Sequence, residues 1–336
     1  MNILVTGGAG YIGSHTCKAL AEAGHTVVVY DNLSTGHRDL ARWGDFVHGD
    51  IGDYAALAAC IRRHRPDGVI HFAAWAQVGE SVSNPGKYFA NNVGGTLQLL
   101  SAMRDQGVGA IVVSGTCAVY GEPEEQPITE NCPANPINPY GASKLFMERM
   151  LADFAVAHGL RWMSLRYFNA AGADALAEAG ERHMPETHLI PRMLMAVDGS
   201  APPLQVFGDT YATPDGTCIR DYVHVTDLAR AHVSGIGHCL SGGQSAAVNL
   251  GTGKGLSVFD IIKAAREVLG KDVPYAIGPK RPGDPPVLTA DYSLARALLG
   301  WQPQCSDAHS ILASAWRWHD KDRPVRDRLR VLAKGF

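Results

Sequence analysis

Tyr140 and Lys144, in the run Tyr140-Gly141-Ala142-Ser143-Lys144, are the side chains of this 336-residue chain best suited to moving a proton. Four residues apart on a helix, they lie nearly one above the other on a single face. A phenol titrates near pH ~10 and is a poor base at neutral pH, whereas a neighbouring ammonium favours the phenolate and lowers that pKa. The pair could therefore strip a proton from an alcohol. A Tyr with a Lys one turn on also occurs on ordinary helix surfaces, so the elements around it must decide.

The first thirty-one residues decide much of it. Asn2-Ile3-Leu4-Val5-Thr6 reads as a short buried strand, followed by Gly7-Gly8-Ala9-Gly10-Tyr11-Ile12-Gly13 and an amphipathic helix over 14–23. Thr26 to Tyr30 is a second apolar strand, closed by Asp31. Strand, glycine loop, helix, strand and acid, with the acid about 20 residues beyond the loop, is the unit that binds dinucleotides. Gly7 permits the tight turn, Gly10 lets a pyrophosphate approach the backbone, and Gly13 lets the helix pack closely on the sheet. The helix N-terminus offers N–H groups and partial positive charge to phosphates. The glycines are spaced G-x-x-G-x-x-G, a variant of the commoner G-x-G-x-x-G. Asp31 would accept both ribose hydroxyls and repel a 2′-phosphate, which favours NAD over NADP. Asn32 follows the acid directly, and Arg38 reads as a solvated loop residue.

Strands and helices go on alternating, as a doubly wound parallel sheet requires. Strands are expected over 46–51, 68–74, 110–114 and 163–168, and helices over 93–103 and 140–158, the latter preceded by Pro139. Strand exits then share one sheet edge, where ligands bind in such folds. Beyond about residue 170, Pro, Gly and polar residues crowd 172–188, 198–217 and 278–286, the texture of long functional loops. The expected fold class is therefore α/β, a doubly wound parallel (Rossmann) sheet with a smaller α/β substrate-binding domain. Residues 1–170 would form the first domain and 171–336 the second, with 219–239 crossing back onto the first. The tail from Lys321 to Phe336 reads as a terminal helix or fray.

Bulk properties exclude several classes. A net charge of −3 and a pI near 6.5 give no electrostatic reason to expect nucleic acid. No apolar run approaches the roughly 18 residues that cross a bilayer, and no charged-then-apolar leader precedes the first strand. The 7 cysteines are scattered without a Cys-x-x-Cys pair, which argues for reduced thiols in a cytoplasm. The 14 histidines show no His-Glu-x-x-His, so no metal site is expected.

With the glycine loop, Asp31, Tyr140 and Lys144 together, the chain resembles the extended short-chain dehydrogenase/reductases. Longer runs narrow this to the UDP-galactose 4-epimerase family: Thr6 to His15, Val78-Gly-Glu-Ser-Val82, Arg166-Tyr-Phe-Asn-Ala-Ala-Gly172, Phe207 to Thr217, and Arg220-Asp-Tyr-Val-His224. The likeness covers roughly residues 2 to 320, in order. It implies a reversible epimerisation at C4 of a UDP-hexose through a transient 4-keto sugar, with NAD retained between cycles, in a homodimer joined through helices near 93–106 and 140–158.

The resemblance also distributes roles. Tyr140 and Lys144 would act with Thr116, Ser114 being the runner-up for the hydroxyl. Contacts to NAD would come from Gly7, Gly10, Tyr11, Ile12, Gly13, Asp31, Asn32, Asp50, Ile51, Phe72, Asn91, Tyr140, Lys144 and Phe168. The nucleotide-sugar side would be Thr116, Asn169, Leu189, Phe207, Arg220, Arg281, Asp284 and Leu288. Arg220 and Arg281 suit a diphosphate through forked hydrogen bonds, and Phe207 offers uracil a flat apolar face. Two departures stand out. Trp75-Ala76 occupies the place where many members carry a Lys near the nicotinamide. Leu288 falls at the gate for the sugar 2-substituent, where members restricted to plain hexoses have Tyr, which implies tolerance of UDP-N-acetylhexosamines. The nearest alternatives are an epimerase of UDP-pentoses or UDP-uronates, and a redox-sensing NAD protein without chemistry, which would be expected to lack Tyr140 or Lys144.

Overall fold

The computed structural model describes residues 1–281 and 283–333. Its first half is built from β1 (Asn2–Thr6), α1 (Tyr11–Glu22), β2 (Thr26–Asp31), β3 (Asp45–His48), α2 (Tyr54–His64), β4 (Gly68–His71), α3 (Val78–Ser83), α4 (Pro85–Tyr88), α5 (Thr96–Asp105), β5 (Ala110–Thr116), α6 (Pro139–His158) and β6 (Arg161–Tyr167). β1, β2, β4 and β5 are short and mostly apolar because both sheet faces are covered there. Along β1, Ile3 and Val5 join the core under α1, and Leu4 joins the opposite core under α2, α5 and α6. That alternation is the two-residue period of a pleated strand.

The second half adds β7 (Asn169–Ala171), α7 (Leu189–Val197), β8 (Leu204–Phe207), β9 (Ile219–Arg220), β10 (Tyr222–His224), α8 (Val225–Leu240), β11 (Ala246–Leu250), β12 (Leu256–Ser257), α9 (Val258–Leu269), β13 (Tyr275–Gly278), β14 (Val287–Leu288), α10 (Ser293–Leu299) and α11 (Ala308–Ala333). Small sheets of β7 with β10, β8 with β13, and β9 between β12 and β14 surround a separate apolar core drawn from α7, α9 and α11. The tail expected to be a helix or fray continues α11 as far as Ala333, and residues 334–336 lie outside the described residues.

The large sheet runs β11-β6-β5-β4-β1-β2-β3 with every pair parallel, the doubly wound order with an added strand at one edge. The crossover expected at 219–239 is α8, which packs on α1 and beneath β4, β5 and β6. The return extends further, since β11 pairs with β6 from Ala246↔Met163 to Leu250↔Tyr167. Asp221, at the hinge into this return, accepts bonds from the Thr252 N–H and hydroxyl and from the Gly253 and Ala290 N–H groups. A buried carboxylate with four donors fixes where the chain re-enters the sheet.

Most expected elements occur within a few residues. The helix expected over 93–103 differs: residues Phe89–Gly95 form a π-helical turn before α5 begins at Thr96. Gly95 lies there against Ile51, where a Cβ would come within 2.6 Å of the Ile51 side chain. Apolar periodicity cannot announce this wider turn, which frequently marks functional sites.

Candidate active site

The exits of β1, β2, β4 and β5, the N-terminus of α6 and the segments after β6 enclose a cavity of about 720 Å³. The glycine loop forms one end. Gly7 has φ of +72°, and a Cβ on it would lie 2.5 Å from the Ala73 nitrogen. A Cβ on Gly13 would lie 2.2 Å from the Gly7 carbonyl oxygen. Gly10 is the N-cap of α1 and no side chain caps the helix, so its first-turn N–H groups are left to face the cavity. Such a loop fits a dinucleotide pyrophosphate. Asp31, 6% exposed, closes this end; Oδ2 accepts from the Ala9 N–H and Oδ1 from the Leu33 N–H. Burial raises its carboxyl pKa, and these two bonds oppose the rise. Tyr11 reaches out of the loop to donate to the Gly172 carbonyl at 2.6 Å, tying it to the segment after β7.

The middle of the cavity holds the acid–base group. Asn138 caps α6 by accepting from the Gly141 N–H, and Pro139 occupies its first turn. Gly141 packs on the turn after β5, where a Cβ would stand 2.5 Å from the Ala118 carbonyl oxygen. That approach brings Tyr140 beside Thr116, whose hydroxyl favours the phenolate. Lys144, 3% exposed, directs Nζ at the Ser114 carbonyl and hydroxyl, both at 2.8 Å. One turn further, Glu148 binds the Ser164 hydroxyl and the Arg166 guanidinium, which anchors α6 to β6. Breaking such a buried pair costs about 3–5 kcal/mol.

The electrostatics correct one expectation. Lys144 does not lower the phenol here: burial pushes the Tyr140 hydroxyl up to about 12, against the pull of the Thr116 bond. Burial likewise takes Lys144 down to about 7, with Glu148 opposing. Desolvation dominates because the ammonium is buried and turned to Ser114, while Tyr140 stands half-buried in the cavity wall.

Of the expected site residues, Gly7, Gly10, Tyr11, Ile12, Gly13, Asp31, Asn32, Ile51, Phe72, Asn91, Thr116, Tyr140, Lys144, Phe168, Asn169, Leu189, Arg220, Arg281, Asp284 and Leu288 all line this one cavity. Asp50 and Phe207 are not in its wall. Asp50 is exposed and held by the Asn32 amide at 2.7 Å and the Gly52 N–H at 2.7 Å. Phe207 is 41% exposed beneath the Arg281 guanidinium, 4.9 Å from the ring centre. Arg220 and Arg281 both ion-pair with Asp284 at the end opposite the glycine loop. Trp75 and Ala76 line the wall, and Lys87 places Nζ 3.4 Å from the Trp75 ring centre. Sequence reading missed Glu181, His183 and His188, which also line the cavity. Their spacing, Glu-x-His-x-x-Glu-x-His through Glu186, is a signal that a search for His-Glu-x-x-His passes over.

The strand order, the glycine loop at the β1 exit and the acid at the β2 exit define a dinucleotide-binding Rossmann protein, here with a tyrosine-centred proton-transfer group in the same cleft. The model of the NAD dependent epimerase/dehydratase family matches residues 3–251, and the chain belongs to that family. The UDP-glucose 4-epimerase of Lacticaseibacillus casei is 48% identical over 321 residues, 95% of this chain and 97% of that protein. Among solved structures, the UDP-glucose 4-epimerase from Brucella ovis in complex with NAD is 55% identical, with a TM-score of 0.93 over 95% of this chain and 98% of that one. The Bifidobacterium longum UDP-glucose 4-epimerase, in complex with NAD+ and UDP, is 39% identical with a TM-score of 0.91, covering 96% and 99%.

Proposed function

We propose that this protein interconverts UDP-galactose and UDP-glucose by inverting C4 of the sugar, with tightly bound NAD. The observation that carries this reading is one continuous cavity lined by the glycine loop and Asp31 at one end, Tyr140 with Thr116 in the middle, and Arg220 with Arg281 at the other. NAD, held by the glycine loop and Asp31, would supply the hydride-accepting and hydride-donating chemistry at C4. Everything else falls to the chain. Tyr140 accepts the proton of the sugar 4-hydroxyl and later returns it, while Thr116 hydrogen-bonds the same oxygen. Lys144, whose Nζ is turned to the Ser114 carbonyl and hydroxyl, would hold the nicotinamide ribose. Arg220 and Arg281 exchange their hold on Asp284 for the diphosphate oxygens, and Asp31 holds the adenosine ribose. A 4-keto sugar free to turn over presents its opposite face, and C4 inverts. The decisive assay is incubation of purified protein with UDP-galactose and no added cofactor. UDP-glucose should appear; absence of turnover in protein that contains NAD would refute the assignment.

Leu288 sits in the cavity wall on β14 and leaves more room than a tyrosine would. UDP-N-acetylglucosamine is accordingly a second substrate, and its complete rejection alongside turnover of the plain hexose would count against this. A homodimer is supported by the apolar side chains that α5 and α6 leave in water, among them Leu97 at 43% and Phe146 at 50% exposure. No described helix is long and apolar enough to cross a membrane, and the seven cysteines are free thiols, in keeping with a cytoplasmic site of action.

A further inference from the structure

Between β7 and α7 the chain folds four potential ligands together within eight residues. One donor atom from each of Glu181, His183, Glu186 and His188 lies within 4.8 Å of all the others. The two carboxylates are nearly buried, each side chain 7% exposed, and among the described residues their ion pairs run to the two imidazoles. His183 Nδ1 is 3.0 Å from Glu181 Oε1 and 4.0 Å from Glu186 Oε2, and His188 Nδ1 is 3.5 Å from Glu186 Oε1 and bonded to Glu181 Oε1. Both rings thus present the same nitrogen to the same pair of carboxylates.

The surroundings hold this arrangement in place. Glu186 Oε1 accepts the N–H groups of Thr187 and His188, at 2.8 and 2.9 Å, which orients the carboxylate. The His183 ring packs edge-on against Tyr11 of the glycine loop and against His188. The cluster forms a partition: Glu181, His183 and His188 face the large cavity, and Glu181, His183 and Glu186 face a second cavity of about 250 Å³. Space on both sides gives an ion a path of entry.

We propose that Glu181, His183, Glu186 and His188 bind one divalent transition-metal ion, with zinc as the ion whose chemistry fits. Carboxylate oxygens and imidazole nitrogens are both zinc ligands, with bonds of about 2.0–2.2 Å, and four of them complete a tetrahedron. Those bonds place neighbouring donors about 3.4 Å apart in a tetrahedron; three of the four imidazole–carboxylate spacings, 3.0, 3.5 and 4.0 Å, bracket that value, and the Glu181–His188 contact, which is shorter, must open to admit the ion. Hydrogen-bonded carboxylates are the outer support that metal sites ordinarily show. The ion would close residues 181–188 into a rigid loop directly before Leu189, bracing the cavity wall against Tyr11. This is a positioning role and requires no step in sugar chemistry.

The test needs no epimerase assay, so it stands apart from the assignment of function. Full-length protein is stripped with a chelator, reloaded with zinc chloride or cobalt chloride, and dialysed. Mass spectrometry should find one zinc per chain, and the cobalt form should show the visible absorption of four-coordinate cobalt. Glu181→Gln combined with His183→Asn should lose both signals while NAD content and far-UV circular dichroism report whether the fold persists. If that variant misfolds, His188→Asn, at a half-exposed position, should weaken zinc retention at least tenfold. Zinc well below one per chain in the loaded wild type, or equal retention by a folded variant, overturns the proposal.

Discussion

Tyr140 and Lys144 occupy one helix face and meet the same obstacle from opposite sides, because burial disfavours the charged form of each. Replacing Tyr140 with Phe removes only the hydroxyl, so turnover should fall by roughly 10²–10⁴-fold while NAD still co-purifies. Loss of NAD in step with activity would mean that the hydroxyl serves to hold the cofactor and not to move the proton. Lys144 makes a separate prediction. Its ordinary pKa of 10.5 is brought to about 7, so between those values the unfolded chain holds a proton that the folded protein has released. Stability must then rise with pH through that interval. Above about pH 9 the buried thiols and Tyr140, all raised by burial, act in the reverse direction. Denaturant midpoints of the wild type should thus climb between about pH 7 and 9 relative to Lys144→Met. Parallel curves for the two proteins would contradict the lowered pKa. Residues whose spacing is local, such as Tyr140 with Lys144 and Asp31 after its strand, could be picked out from the amino-acid order. Asp50 and Phe207 stand outside the cavity wall, and the amino-acid order could not foretell this because side-chain direction is set by tertiary partners, Asn32 with Gly52 in one case and Arg281 in the other.

At the scale of elements, the glycine loop is the feature most sensitive to a single methyl. A Cβ at Gly13 would collide with backbone at 2.2 Å, and backbone cannot step aside as a flexible side chain can. Gly13→Ala should therefore reduce both bound NAD, read by chromatography of the denatured extract, and the thermal midpoint. Gly237→Ala in α8 is a fitting control, since nothing lies within 4 Å of the added methyl. It should be neutral or stabilising by up to about 1 kcal/mol. Comparable NAD loss in both variants would remove the steric explanation. The strands were readable because double burial leaves an uninterrupted apolar run, and α6 because Asn138 and Pro139 mark its start. The π-helical turn at Phe89–Gly95 was not, because its cause is the distant contact of Gly95 with Ile51. The short strands of the second half were equally hidden: two- and three-residue pairings such as β9 with β14 have no period to detect.

Across the whole molecule, α5 and α6 cover one face of the large sheet and turn apolar side chains outward, with the Phe89 and Phe146 rings packed edge to face at 6.2 Å. Leu97→Glu with Phe146→Glu should convert a dimer to a monomer in light scattering, and an unchanged mass would place the interface elsewhere. Composition and strand alternation conveyed the Rossmann half in advance, but not how deeply the second half reaches into it. That reach has a consequence for synthesis. A ribosome that has released only the first 170 residues or so leaves β6 with its outer hydrogen-bonding groups bare, and such a rim recruits stray strands. Relief comes only when Ala246–Leu250 emerges and seals it. The nascent protein must therefore wait for some eighty more residues before its oldest part is safe from aggregation, and a chain cut short in that interval is a candidate for chaperone capture.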